Sequence, residues 1–288
     1  MSFSIGDEMK DVAVFTTVES LKSRLNGAGN STEFAFVPTM GALHDGHLDL
    51  VRKAFEIADQ VVVSIFVNPT QFNSQADLEN YPRTLENDIR LLKSVGDVII
   101  FAPTVSEMYP EDFKEINLEL NELENVMEGK FRPGHFYGVV NVVHRLFEIV
   151  SPEYALFGEK DFQQLAVIQR MVEELQLSVK IIPCPTVREK NGLAKSSRNQ
   201  RLNEVQLEQA LILVNTLNYA VENCKTHLPA ELKKLAIDFF NKGELQLEYL
   251  EIVDAKTLQE ITEWSADSRI CVAAYCGDVR LIDNMEIN

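Results

Sequence analysis

The feature that most limits what this chain can fold into is a change of period, repeated along its first 180 residues. Short runs rich in β-branched and aromatic residues occur at 13–16, 34–38, 61–67, 98–102, 154–157 and 179–183. Between several of them, apolar residues recur at helical spacing. Leu48, Val51, Ala54, Phe55 and Ala58 form one such stripe, and Leu85, Ile89 and Leu92 another. Phe136, Val139, Val140, Val143, Leu146, Phe147 and Val150 form a third, and Phe162, Leu165, Ala166, Val172 and Leu175 a fourth. Strand patterns alternating with helix patterns predict βαβ units and a parallel sheet covered on both faces. Right-handed crossovers then give an α/β, doubly wound, Rossmann-like sheet.

After Leu202 the rhythm changes. Helical stretches at 204–224 and 229–242 precede short strands at 247–253, 269–275 and 279–282, the pattern of a smaller C-terminal α+β domain. The 288 residues suit this division, since domains run to about 100–200 residues. The expected units are 1–184 and 185–288, the second acting as a lid.

Charge narrows the function. The chain has 27 basic and 44 acidic side chains, a net charge of −17. So negative a chain is no general nucleic-acid binder, because phosphate backbones need clustered Lys and Arg. The acidity is uneven. Residues 1–179 carry −14 and 202–288 carry −8, whereas 180–201 carry six basic residues against Glu189 alone, giving +5. An anionic ligand would find its positive charge there. The acidic run 107–128 reads as a solvated face. No stretch approaches the about 18 apolar residues of a spanning helix. Residues 1–15 lack the basic-then-apolar order of a secretory signal. Cys184, Cys224, Cys271 and Cys276 form no C-x-x-C pair and read as free thiols in a reducing cytoplasm, although Cys271 and Cys276 could meet across a strand.

The densest chemical signal is PTMGALHDGH, residues 38–47, between a predicted strand and a helix expected to begin near His47. Open α/β sheets bind ligands at the carboxyl ends of their strands. Gly41 and Gly46 permit tight turns there, and the helix N-terminus offers free N–H groups to an anion. His44 and His47 add two hydrogen-bond donors that can be protonated near neutral pH. No P-loop and no G-x-G-x-x-G is present. A second strand end carries Asn68-Pro-Thr-Gln-Phe72, where Gln71 can read a carboxylate or hydroxyl. A third carries Gly158-Glu-Lys-Asp161, with Lys160 as a mobile cation and Asp161 as the expected helix cap. Within the basic island, Lys195-Ser-Ser-Arg198 suits a triphosphate clamp. Arg132, in Arg132-Pro-Gly-His135, is a further basic loop residue.

Together, PTMGALHDGH, IFVNPTQF, YPRTLENDI, RPGHFYGV, LFGEKDFQQLAVI, SSRNQRL and the closing RLIDN resemble the pantoate–β-alanine ligase family closely, over about residues 34–284. The resemblance implies ATP-dependent condensation of pantoate with β-alanine to pantothenate through a pantoyl adenylate, releasing AMP and pyrophosphate. It implies ATP binding by Met40, Gly41, Ala42, Leu43, His44, Asp45, Gly46 and His47, by Gly158, Glu159, Lys160 and Asp161, and by Val187, Lys195, Ser196, Ser197 and Arg198. His47 would be the catalytic proton donor. Gln71 and Gln164 would hold pantoate, and Gln71 would also meet β-alanine. Mg²⁺ would accompany ATP through phosphate oxygens, with Asp88 a possible partner, and the protein would be a cytoplasmic homodimer without nucleic-acid or membrane partners. Lys195 departs from the family, which has Met or Leu there. A nucleotidylyltransferase would need a phosphate-reading second site, and Gln71 with Gln164 suits a small hydroxy acid better. A regulatory protein that kept only the fold would be expected to have lost some of His44, His47, Lys160 and Arg198.

Overall fold

The computed structural model describes residues 13–29, 31–265 and 267–287. Residues 1–12, part of the segment read as lacking a secretory signal, lie outside them. The six predicted strands form as β1 (Val14–Phe15), β2 (Phe34–Thr39), β3 (Gln60–Ile65), β4 (Val98–Phe101), β5 (Tyr154–Gly158) and β6 (Lys180–Cys184). They pair in parallel in the order β1-β4-β3-β2-β5-β6. The chain runs outward from β2 through β3 to β4, then returns to place β5 on the other side of β2. The order therefore reverses between β2 and β5, which makes their carboxyl ends the topological switch point where such sheets open a crevice.

Alternation along each strand separates two cores. Phe34, Phe36, Val62, Ile99 and Phe101 pack with helix His135–Val150 on one face. Ala35, Val37, Val61, Val63, Val98 and Ile100 pack with Leu48, Val51 and Ala54 of helix Asp45–Phe55 on the other. Both faces are thus dry, and the central strands read as nearly continuous apolar runs.

Beyond Cys184, β7 (Gln246–Asp254), β8 (Ser268–Cys276) and β9 (Val279–Glu286) form an antiparallel sheet in that order. Helices Leu211–Asn223 and Pro229–Phe240 cover it. The helix expected over 204–224 is two: Glu204–Gln209 ends at Ala210, where a bond from Leu213 N–H to the Ala210 carbonyl (3.1 Å) tightens the ladder. Tyr249, Val253, Leu258, Cys271 and Ala273 pack on Met127 of helix Met127–Phe131 and on Phe162 and Ala166 of helix Phe162–Glu174, which seats this sheet against the helices that flank the large one. None of the four cysteines is in a disulfide, and all four are buried. Cys271 and Cys276 lie on one strand, β8, so they do not face each other across a ladder. No helix among the described residues is long and apolar enough to cross a membrane.

Candidate active site

The loop after β2 turns into helix Asp45–Phe55 two residues earlier than expected, because His44 is its N-cap and His47 its third residue. The His44 ring accepts from Gly46 N–H at Nδ1 (3.2 Å), and the His47 ring accepts from His44 N–H at Nδ1 (3.3 Å). The H-x-G-H spacing is thereby explained. The first histidine caps, the second closes the reciprocal box, and a Cβ on Gly46 would stand 2.9 Å from the His44 ring. Since both Nδ1 atoms accept, both ring protons sit on Nε2, which remains free to donate.

Neither ring is a cation here, contrary to the sequence expectation. Burial, then Lys160 and Lys195, brings His44 down to about 4. Burial, then His44 and Lys160, holds His47 well below the ordinary value of 6.5. His135, buried beside Arg132, is likewise brought down to about 4. An imidazole whose pKa is lower folded than unfolded stabilises the fold above the unfolded value. It loses that contribution as the pH falls toward the folded value. His44 and His135 should therefore each forfeit on the order of 2–3 kcal/mol between about pH 6.5 and 4. Thermal melts should fall through that window, and less steeply in His135→Gln. Midpoints that stay flat from pH 7 to 4 would contradict this account.

Asp88, weighed above as a magnesium partner, is fully buried and committed elsewhere. Its carboxylate accepts from Ala42 N–H (3.0 Å), Leu43 N–H (2.8 Å) and the Thr84 hydroxyl (3.1 Å). It holds a turn in which Gly41 (φ 79°) and Ala42 (φ 50°) are both left-handed. Ala42 pays a steric cost of about 1–2 kcal/mol for that conformation, and two charge-assisted bonds offset it.

The next strand end carries the Asn68–Gln71 turn. Asn68 Oδ1 accepts from the Tyr109 hydroxyl (2.8 Å), and its Nδ2 donates to the Gly138 carbonyl and to Gln71 Oε1, both at 3.2 Å. Among the described residues, Gln71 Nε2 has only the Met40 sulfur, at 3.2 Å. A thioether is a weak acceptor, so this amide is available to a better one. Asn68 was not singled out in the sequence. Its place as the cap of a Pro-containing turn was the signal.

The switch point gathers the other loops around one cavity of about 550 Å³. Met40, His44, Gly46 and His47 line it from β2, Gln71 from β3, and Gly158, Lys160, Asp161 and Gln164 from β5. Val187 and Lys195 to Arg198 line it from the chain after β6. Gly41, Ala42, Leu43, Asp45 and Glu159 do not. The first three are the buried turn that Asp88 holds, Asp45 turns outward to Lys195, and Glu159 lies 3.6 Å from Arg269. Asp161 occupies the cap position of helix Phe162–Glu174, yet its carboxylate makes no capping bond and sits 3.5 Å from Lys160.

The basic island is less free than its charge suggests. Lys195 reaches Asp45 (2.5 Å) and Glu189 (3.2 Å), so its charge is absorbed by two carboxylates. Arg188 is paired with Asp283, and Arg201 with Asp77 and Asp278. Arg198 shares Asp77 at 2.9 Å, lies 5.6 Å from the Tyr81 ring centroid, and keeps a buried Nε with no partner among the described residues. Ser197 donates to the Ala42 carbonyl (2.9 Å), which ties the clamp to the histidine loop. Ser196 accepts from Arg198 N–H and keeps its own proton to give. Among the described residues, Lys160, Arg198 Nε, the two imidazoles and the Ser196 hydroxyl are thus donors left for an anion.

A profile of the family described as pantoate-β-alanine ligase matches residues 13–286. The chain belongs to the pantoate–β-alanine ligase family. The ligase is similar to a pantothenate synthetase of Phocaeicola vulgatus, 49% identical over 276 residues, with 94% of this chain and 97% of that one covered. A pantothenate synthetase of Bacteroides fragilis is 47% identical, covering 95% and 98%. The crystal structure of the Thermus thermophilus pantothenate synthetase superposes with a TM-score of 0.90 at 42% identity, over 95% of this chain and 98% of that one. The Francisella tularensis pantoate-β-alanine ligase, complexed with beta-gamma ATP and β-alanine, gives 0.81 at 37%, over 96% and 98%. The ligase is accordingly an enzyme that condenses pantoate with β-alanine.

Proposed function

We propose that the cavity activates the carboxylate of pantoate as an adenylate and then passes the acyl group to β-alanine. The observation that carries this reading is the division of donors around one cavity. An anion arm of His44, His47, Lys160 and Arg198 stands at the switch point, and an uncharged arm of Gln71 and Gln164 suits a small hydroxy acid. A carboxylate is a poor acylating agent, whereas a mixed anhydride has a good leaving group.

In the first step a carboxylate oxygen bonds to the α-phosphorus of ATP, the bond to the bridging oxygen breaks, and pyrophosphate leaves. His47 donates from Nε2 to the phosphate oxygens on which charge develops, with Lys160 and Arg198 alongside. In the second step the amine of β-alanine bonds to the acyl carbon and AMP leaves with the electron pair of the broken C–O bond. The amine proton passes to solvent. Gln71 holds pantoate in both steps and meets the incoming amine, and Gln164, which lines the cavity without a hydrogen-bond partner of its own among the described residues, completes the pantoate arm. Of the remaining predicted ATP contacts, Met40 and Val187 line the cavity, whereas Gly41, Ala42, Leu43, Asp45 and Glu159 act through the loops that shape it.

Among the described residues no three His, Cys, Asp or Glu side chains converge as a metal cage, and Asp88 is occupied. Mg²⁺ entering with ATP would be held by phosphate oxygens, which is the usual mode for this ion. The chain after Cys184 serves as the lid unit, carrying the clamp over the cavity and shielding an adenylate from water. Four buried cysteines without a disulfide suit a reducing cytoplasm, and family resemblance supports a homodimer, which light scattering would test.

The test is exchange of labelled pyrophosphate into ATP without β-alanine. Exchange that requires pantoate is expected. Exchange that ignores pantoate, or that appears only with β-alanine, would overturn the reading.

A further inference from the structure

The closing Arg280-Leu-Ile-Asp-Asn284 and the Arg132-Pro-Gly-His135 loop take no part in the chemistry above, yet the structure joins them. On β9, the Arg280 guanidinium holds both carboxylate oxygens of Glu128, at 2.7 and 2.8 Å, and also pairs with Glu248. Glu128 belongs to helix Met127–Phe131 of the other unit and is only 6% exposed. It lies at the end of the run read from sequence as a solvated face, and is the opposite of that. The Tyr249 hydroxyl of β7 adds a third bond to it, at 2.8 Å.

The far side of Glu128 faces the pantoate arm. Arg132 donates to Glu128 Oε2 (3.3 Å), to His135 Nε2 (3.1 Å) and to the Gln71 carbonyl (3.3 Å). His135 donates from Nδ1 to the same carbonyl, at 2.8 Å. Two donors from one loop thus fix the backbone of Gln71, and Glu128 fixes that loop. Four residues along β9 from Arg280, Asn284 reaches a different arm. Its Nδ2 donates to the carbonyls of Glu159 and Lys160, both at 2.9 Å, in the loop that presents the Lys160 ammonium.

We infer that β9 is a coupling strand with two outputs. Arg280, acting through Glu128, positions Gln71 for pantoate. Asn284 positions the Lys160 loop for ATP. Arg280, Glu128, Tyr249 and Asn284 border the same cavity but spend their polar groups on one another and on the loops that carry Gln71 and Lys160, which makes them positioning residues. Seating of the small sheet then completes both halves of the site together. A buried ion pair of this kind is weak evidence for stability in itself, since desolvation consumes most of its Coulomb gain. Its attested use is to fix one geometry, which is the role assigned here. The inference rests on the reading of Gln71 as a pantoate contact.

The test is a set of KM values for pantoate and for ATP, measured on folded full-length variants. Glu128→Gln should raise the pantoate KM about tenfold and Tyr249→Phe about threefold, each leaving the ATP KM within about twofold. Asn284→Ala should do the reverse. A loss of folded enzyme alone would lower kcat in proportion and move neither KM. Tyr249→Phe keeps its ring stacked on Phe131 and decides the pantoate output if Glu128→Gln does not fold. Both KM values rising equally in these variants, or neither changing, would overturn the coupling. Gln71→Asn separates the two readings. If its pantoate KM rises while those of Glu128→Gln and Tyr249→Phe do not, only the coupling fails. If Gln71→Asn leaves the pantoate KM unchanged, the pantoate site has been misplaced and the coupling falls with it.

Discussion

Replacing His47 with alanine is expected to slow pantoate-dependent pyrophosphate exchange by about two to three orders of magnitude, the usual loss when one donor to developing charge is removed. His47 Nδ1 is occupied by the His44 backbone, so Nε2–H is the only donor the ring offers, and its position is set by the helix end. The pKa of the ring is held well below 6.5, so the effect belongs to a neutral donor in the free enzyme. ATP affinity should change far less than kcat, because Lys160 and Arg198 remain. The substitution also leaves one backbone N–H without its acceptor, a stability loss of about 1 kcal/mol that calorimetry would register separately. A His47→Ala enzyme with unchanged turnover would remove this residue from the mechanism.

Asp88→Ala carries the largest expected loss of stability. Three donors would be orphaned together, two of them backbone groups in a left-handed turn. Leaving such groups unpaired costs about 1–3 kcal/mol each where water cannot reach them, so a total of roughly 3–5 kcal/mol is expected. The melting midpoint should fall by on the order of 10 °C. Exchange activity should fall with it even in the folded fraction, since the turn carries His44 and meets Ser197 of the clamp. Asp88→Asn keeps one acceptor and should recover part of the stability. Wild-type melting in Asp88→Ala would refute the account of this loop.

Much of the fold was legible because strand and helix periods are local properties. The reversal between β2 and β5 explains why the richest motifs sit where they do, at 38–47 and 158–161. What escaped was non-local. His44 as a helix cap was missed because histidine is not among the favoured cap residues. Glu128 read as solvated because Arg280, its partner, lies 152 residues further along the chain. The +5 island read as free charge because Asp45, Asp77, Asp278 and Asp283 reach it from elsewhere. Asp88 read as a candidate metal partner because nothing local shows that two backbone N–H groups, 45 and 46 residues earlier, already claim its carboxylate.

The central claim is that pantoate's own carboxylate attacks the α-phosphorus. Pantoate labelled with ¹⁸O in that carboxylate, turned over with ATP and β-alanine, tests it directly. The account predicts one ¹⁸O in the phosphate of AMP and none in pyrophosphate. Label found in pyrophosphate or inorganic phosphate, or AMP formed without label, would contradict it.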